Sequence, residues 1–187
     1  MPPDARPVPR ALLITGTVGA GKTSVAEAIG ALLTNAEIPS AVMDLDCLRR
    51  SWPTPAADRF NVGMLLRNLR CVAGNYLDAG ATRLVLAGVA ESQADRDHYE
   101  EAVGIDLSVC RLRVHLPTVH QRLAHRHGDD HDGLRWHLKR SGELDRILDQ
   151  AEVEDSPSMP ARNPSRQLPW PCCRQRTGSD LHKAAIG

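Results

Sequence analysis

The feature that most constrains this chain is a short apolar run, Leu12-Leu13-Ile14, which breaks at Gly16 and gives way to a helical pattern after Thr23. Beyond the break, Val25, Ala26, Ala28, Ile29, Leu32 and Leu33 recur with helical spacing. Between the expected strand and helix lies G-x-x-x-x-G-K-T, formed by Gly16, Thr17, Val18, Gly19, Ala20, Gly21, Lys22 and Thr23, with Ser24 following. Glycines let backbone N–H groups converge on a polyphosphate without Cβ clashes. The helix starting near Lys22 aims unpaired N–H groups and the positive end of its dipole at the same anion. Lys22 can follow the β and γ oxygens, and the Thr23 hydroxyl suits Mg²⁺. Residues Gly16 to Ser24 are therefore expected to bind a nucleoside triphosphate.

The 187 residues suit one α/β domain with a proper core. Lys+Arg and Asp+Glu both number 23, so neither nucleic acid nor an anionic membrane is an expected partner. Aromatics at 3% also argue against base-stacking platforms. Five cysteines without a C-x-x-C pair, and no signal-peptide pattern, suit a reducing cytosol. Residues 1–10, proline-rich and polar, read as a loose lead-in.

Strands are expected over 40–44, 83–89 and 107–116, and helices over about 62–77, 93–103, 118–127 and 134–149. A loop is expected over about 51–61, and a polar hinge over 127–133. This β-α-β-α alternation predicts a three-layer phosphate-loop fold around a parallel sheet, of about five strands in an intact version. Residues 1–155 read as that domain. Residues 156–187 lose apolar periodicity and hold five prolines, where such a domain would place a last strand and covering helix. That tail has two readings, a disordered segment or one translated out of frame.

Asp44-x-Asp46-x-x-Arg49 is the second anchor. Placed at the end of a strand beside bound triphosphate, the two aspartates would face one side, because strand side chains alternate. One carboxylate could order Mg²⁺ water or accept a hydroxyl proton, and Arg49 could hold an anionic acceptor. Glu91 could reach the metal's water shell or simply start a helix. Arg122 and Arg126 could clamp phosphate or adenine, and Arg135, Arg140 and Arg146 could belong to a closing lid. The histidines around His127 and His131 read as a polar segment rather than a metal cluster. Trp52 and Phe60 could line an acceptor pocket or plug the core.

These residues resemble small-molecule kinases of the phosphate-loop class, and most closely adenylylsulfate kinases. That family carries Asp-Gly-Asp-Asn-x-Arg after its second strand, where this chain has Asp44-Leu45-Asp46-Cys47-Leu48-Arg49. Its Asn-x-Arg and later Ala-Gly are matched by Asn68-Leu69-Arg70 and Ala79-Gly80. The resemblance covers about residues 12–127. It implies that Asp46 lies near the catalytic centre and that Arg49, Asn68 and Arg70 hold the acceptor. It also implies ATP as donor, Mg²⁺ as cofactor, and a small-molecule acceptor. Arg126 would join the loop in binding ATP. Leu45 and Cys47 depart from the family pattern and its lysine-rich lid is missing, while gluconate, shikimate, nucleoside and antibiotic kinases share the skeleton. The expected activity is transfer of the γ-phosphate of ATP. Lys22, Asp44, Asp46 and Arg49 would be the catalytic set, with Thr23 and Asp46 at the metal. Two rivals stand beside it: a simple ATPase, and a nucleotide-binding resistance or regulatory protein without transfer.

Overall fold

A computed structural model describes residues 7–58 and 60–155 of the chain. The tail that carries the disordered and out-of-frame readings lies outside the described residues. In chain order the elements are β1 (Arg10–Gly16), α1 (Lys22–Asn35), β2 (Ser40–Asp44), α2 (Leu45–Leu48), α3 (Val62–Asp78), β3 (Arg83–Ala87), α4 (Gln93–Val103), β4 (Leu107–Leu112), α5 (Leu116–His127) and α6 (His131–Ala151).

The strands form one parallel sheet in the order β2-β3-β1-β4. All seven residues of β1 are buried, as a central parallel strand covered on both faces requires. Alternation divides the strand side chains between two layers. Leu13 of β1 joins Met43, Leu84, Leu86 and Val109 in a core closed by Leu65 and Leu69 of α3 and Tyr99 of α4. On the other face, α1 packs against β1, β2 and β3, with Gly30 so close to Val42 that an added Cβ would lie 2.5 Å from its Cγ2. The observed architecture is thus α/β with a parallel sheet, four strands among the described residues.

Several boundaries differ from the sequence expectation. β1 begins at Arg10 rather than Leu12, because Arg10 pairs in register with Arg83 and is only 6% exposed. β3 stops at Ala87, short of Val89. β4 stops at Leu112, the residue opposite Gly16, where β1 itself ends. The chain then enters α5 at Leu116, with Pro117 in its first turn, where a missing N–H costs nothing. α6 starts at His131, three residues earlier than periodicity suggests, because Asp130 caps it by accepting from Gly133 N–H. Arg111, whose side chain is 2% exposed, ties α6 to β4 through Asp145 at 3.1 Å and Asp149 at 2.8 Å.

The short helix α2 was not expected at all. It overturns the strand-alternation argument for the two aspartates, since β2 ends at Asp44 and Leu45 already belongs to α2. Asp44 and Asp46 are related as helix cap and first-turn residue, not as strand neighbours.

Candidate functional site

The parallel sheet delivers the ends of β1, β2 and β3 to one edge, and the phosphate loop occupies the turn after β1. Gly21 caps α1 with φ +95°, a left-handed conformation that disfavours a side chain. Gly19, at φ +79°, packs so tightly on α5 that a Cβ would lie 3.0 Å from Leu123. No side chain caps α1, and its first turn holds no acidic residue. By contrast α2, α4 and α6 are capped by Asp44, Ser92 and Asp130. The α1 N-terminus thus keeps its N–H groups available for an anion.

Lys22 Nζ donates to the carbonyls of Gly16 and Thr17, each at 3.1 Å. Burial lowers its pKa, Asp46 and Asp44 oppose that, and Arg126 adds to it. Arg126 therefore lies close enough to the loop lysine to be felt electrostatically. Arg122 donates to Ala20 O at 3.2 Å. Val18, Ala20 and Ser24 take their places in the loop and first turn.

The Thr23 hydroxyl donates to Asp44 Oδ2 at 2.8 Å, while Asp44 Oδ1 accepts from Asp46 N–H at 2.9 Å. Asp46 keeps its carboxylate 61% exposed and sits 3.5 Å from Arg49 Nε. Lys22, Thr23, Asp44, Asp46 and Arg49 are thereby brought together at the sheet edge. Oxygen donors of this kind fit Mg²⁺, which usually takes one or two carboxylates plus substrate phosphates rather than an all-protein cage. Among the described residues no group of three or more His, Cys, Asp or Glu side chains could hold a metal by itself. His127 instead pairs with Asp130 and packs its ring on His137 at 4.6 Å.

Two of the residues expected at the acceptor have protein partners in the structure. Asn68 Nδ2 donates to Leu48 O at 2.7 Å, closing the carboxyl end of α2. Arg70 projects to α4 and pairs with Glu101 at 3.3 Å, both side chains more than half exposed. This exposed pair is the contact that fixes the Arg70 side chain in the structure. Asn61 joins Asn68 in holding the α2 segment, its Nδ2 donating to Arg49 O at 2.9 Å. Residues from Trp52 to Ala57 are exposed, Trp52 at 92% and Phe60 at 46%, so neither aromatic plugs the core.

Three features escaped the sequence reading. Tyr99 donates to Val89 O at 2.9 Å, and burial pushes its pKa up to about 12, with Arg49 opposing and Asp95 and Asp46 contributing. Thr15 Oγ1 accepts from Ala90 N–H at 3.3 Å, joining the ends of β1 and β3. Of the three arginines expected in a lid, Arg140 faces the loop after β3. It pairs with Glu91 and with Glu143, and its guanidinium lies 5.9 Å from the Phe60 ring centre. Arg135 pairs with Asp132 on the surface, and Arg146 donates to Gly142 O in its own helix. The spacing of Tyr99 three and four residues before Ala102 and Val103 marks the buried stripe of α4 and could have signalled it; nothing local to the sequence signals the other two.

Among the described residues no helix is long and apolar enough to cross a membrane. No curated relative matches the chain. Similar solved structures include the adenylylsulphate (APS) kinase of Mycobacterium tuberculosis in complex with AMPPNP and APS. It is 26% identical, covering 62% of this chain and 69% of that one, with a TM-score of 0.47. A gluconokinase from Sinorhizobium meliloti 1021 is 21% identical over 79% of this chain and 96% of that one, with a TM-score of 0.44. A putative fructose transport system kinase from Silicibacter sp. TM1040 is 15% identical over 79% and 88%, and its TM-score of 0.54 supports the shared fold. The adenylylsulphate kinase family matches residues 8–161, which span both the phosphate loop and the Asp44–Arg49 segment. With that match covering most of its length, the chain belongs to the adenylylsulphate kinase family and is an ATP-dependent kinase.

Proposed function

We propose that this kinase transfers the γ-phosphoryl group of ATP to a hydroxyl of a small anionic metabolite of the adenylylsulphate type. The observation that carries the proposal is the continuous line Thr23–Asp44–Asp46–Arg49 at the mouth of the phosphate loop. In the proposed reaction the loop amides and Lys22 hold the β and γ phosphates. Lys22 leaves the carbonyls of Gly16 and Thr17 to do so, and its burial strengthens the attraction to phosphate. Thr23 with Asp44 and Asp46 would hold Mg²⁺, which neutralises phosphate charge when bound. Asp46, exposed and next to Arg49, accepts the proton of the acceptor hydroxyl as its oxygen attacks the γ-phosphorus. The bond to the β–γ bridging oxygen breaks and ADP leaves with the electron pair. Arg49 steadies the acceptor's anionic group, and Asn61 and Asn68 hold the segment that carries Arg49. Arg126 adds positive charge beside the bound phosphates.

A hydrolase would need a carboxylate free to activate water after β3. Glu91 is paired with Arg140 instead, which favours transfer over hydrolysis. The test is ADP release with MgATP across a panel of adenylylsulphate, gluconate, shikimate, nucleosides and antibiotics. Acceptor-dependent release supports the proposal. Release independent of any acceptor indicates a hydrolase, and binding without release indicates a sensor.

A further inference from the structure

The phosphate loop is fastened to the rest of the molecule at a point its signature does not require. Thr17 occupies a variable position of G-x-x-x-x-G-K-T and is 2% exposed. Its Oγ1 donates a 2.6 Å hydrogen bond to the backbone carbonyl of Ser141, 124 residues further along. Ser141 is fully buried in α6, with its own hydroxyl donating to Leu138 O at 2.8 Å. The main chain of Thr17 is occupied as well, since its carbonyl accepts from Lys22 Nζ at 3.1 Å and from Ala20 N–H at 3.2 Å. One buried residue thus joins α6, through its side chain, to the lysine of the loop, through its backbone. The residue before Ser141 is Arg140, paired with Glu91 after β3, so α6 is docked at adjoining positions onto two of the loops at the sheet edge.

Glycine-containing loops lose much conformational freedom when they order. Lys22 must leave the carbonyls of Gly16 and Thr17 to meet a phosphate, and the loop then loses two of its internal hydrogen bonds. The Thr17–Ser141 bond does not involve Lys22, so that exchange does not require it to break. At 2% exposure the Thr17 hydroxyl is shielded from bulk solvent, a setting in which a hydrogen bond is stronger than at the surface.

We propose that Thr17 is a positioning residue for triphosphate binding, its hydroxyl tying the phosphate loop to the Ser141 carbonyl so that the loop holds its binding shape before nucleotide arrives. The side chain acts through the backbone and lowers the ordering cost of binding. The inference rests on the reading of residues 16–24 as the ATP site and assigns that site a support from α6.

Thr17→Val removes the hydroxyl at nearly constant shape, and Thr17→Ser keeps it. MgATP binding is measured by calorimetry well below each variant's melting transition, with the folded fraction checked by circular dichroism. Thr17→Val is expected to bind MgATP about fivefold more weakly, the scale of one net hydrogen bond, and Thr17→Ser to stay within about twofold of wild type. A purely structural hydroxyl would lower the melting temperature of Thr17→Val and leave its affinity unchanged, which overturns the proposal. Equal weakening in both variants overturns it too, since the methyl group and not the hydroxyl would then matter. Should Thr17→Val not fold, Thr17→Ala replaces it against Thr17→Ser, and equal affinities are the overturning result. Lys22→Ala separates the two levels. If wild type binds and Lys22→Ala does not, the site reading stands whatever Thr17 shows, whereas a wild type without binding removes both.

Discussion

On the side of the phosphate loop, polar side chains are buried and already partnered. Thr15 reaches Ala90, Thr17 reaches Ser141, and Lys22 reaches two loop carbonyls. On the side proposed to face the acceptor, Asp46 is 61% exposed, Trp52 is 92% exposed, and residues 51–57 run over the surface. The first region has its polar side chains partnered within the protein. The second keeps only its base fixed, through Asn61 and Asn68 on the carbonyls of Arg49 and Leu48. Under the proposed function, the contrast separates where rate and where selectivity would reside. Phosphoryl transfer depends on aligned, preorganised charge, so the donor side must be rigid. Choice of acceptor depends on side chains that need not support the fold.

The comparison breaks most directly at Lys22. Lys22→Ala is expected to lower turnover by at least about 10²–10³, the scale of removing one preorganised charge stabiliser. Its melting temperature should hold or rise, because burial of the ammonium is unfavourable in the folded state. ADP-release kinetics and a melting curve check both halves, and full activity would end the donor-side assignment.

Asp46→Asn should lower kcat by about 10²–10⁴ as a proton acceptor is lost. MgATP affinity, read by calorimetry, should fall much less than kcat, because the loop amides, Lys22, Thr23 and Asp44 remain. Parallel loss of affinity and rate would instead put Asp46 mainly on the donor side and blur the contrast.

Tyr99 lies under the junction of the two regions. Its folded pKa is raised from 10.0 to about 12, so its contribution is fully present below pH 10 and is lost as pH rises towards 12. Tyr99→Phe should cost about 1 kcal/mol at neutral pH through the lost bond to Val89 O. Urea midpoints should show the gap between the two proteins closing above pH 10. A gap that stays constant to pH 11 would count against the buried, neutral phenol.

The smallest effect on stability belongs to Trp52→Ala, within about 0.5 kcal/mol, since the side chain buries almost nothing. Any kinetic effect should fall on the acceptor's KM and leave that of ATP alone. A melting shift of several degrees would show that the exposed loop supports the fold after all.

Legibility in the sequence follows the same division. The turn between β1 and α1 was readable because its chemistry is local, glycines and a lysine in a short span between an apolar run and a helical pattern. Asp44, Asp46 and Arg49 were readable as a group, yet their geometry was not. Asp44 turned out to cap α2, which is too short to leave a periodic signature. The family resemblance gave Asn68 and Arg70 the same role, but two positions along α3 point in different directions. One meets a carbonyl of α2 and the other a carboxylate of α4.

What the sequence alone determined is the class of the fold and the character of the donor site. Apolar periodicity sets strands and helices, and the phosphate loop is a local backbone device whose residues announce it. What only the tertiary structure decided is which side chains meet across long separations. It joined Thr17 to Ser141, paired Arg140 with Glu91, and left Arg135 and Arg146 to their own helix. The reason is physical: such contacts depend on how helices pack on the sheet, and packing satisfies the whole set of buried surfaces and polar groups at once rather than any one stretch of chain.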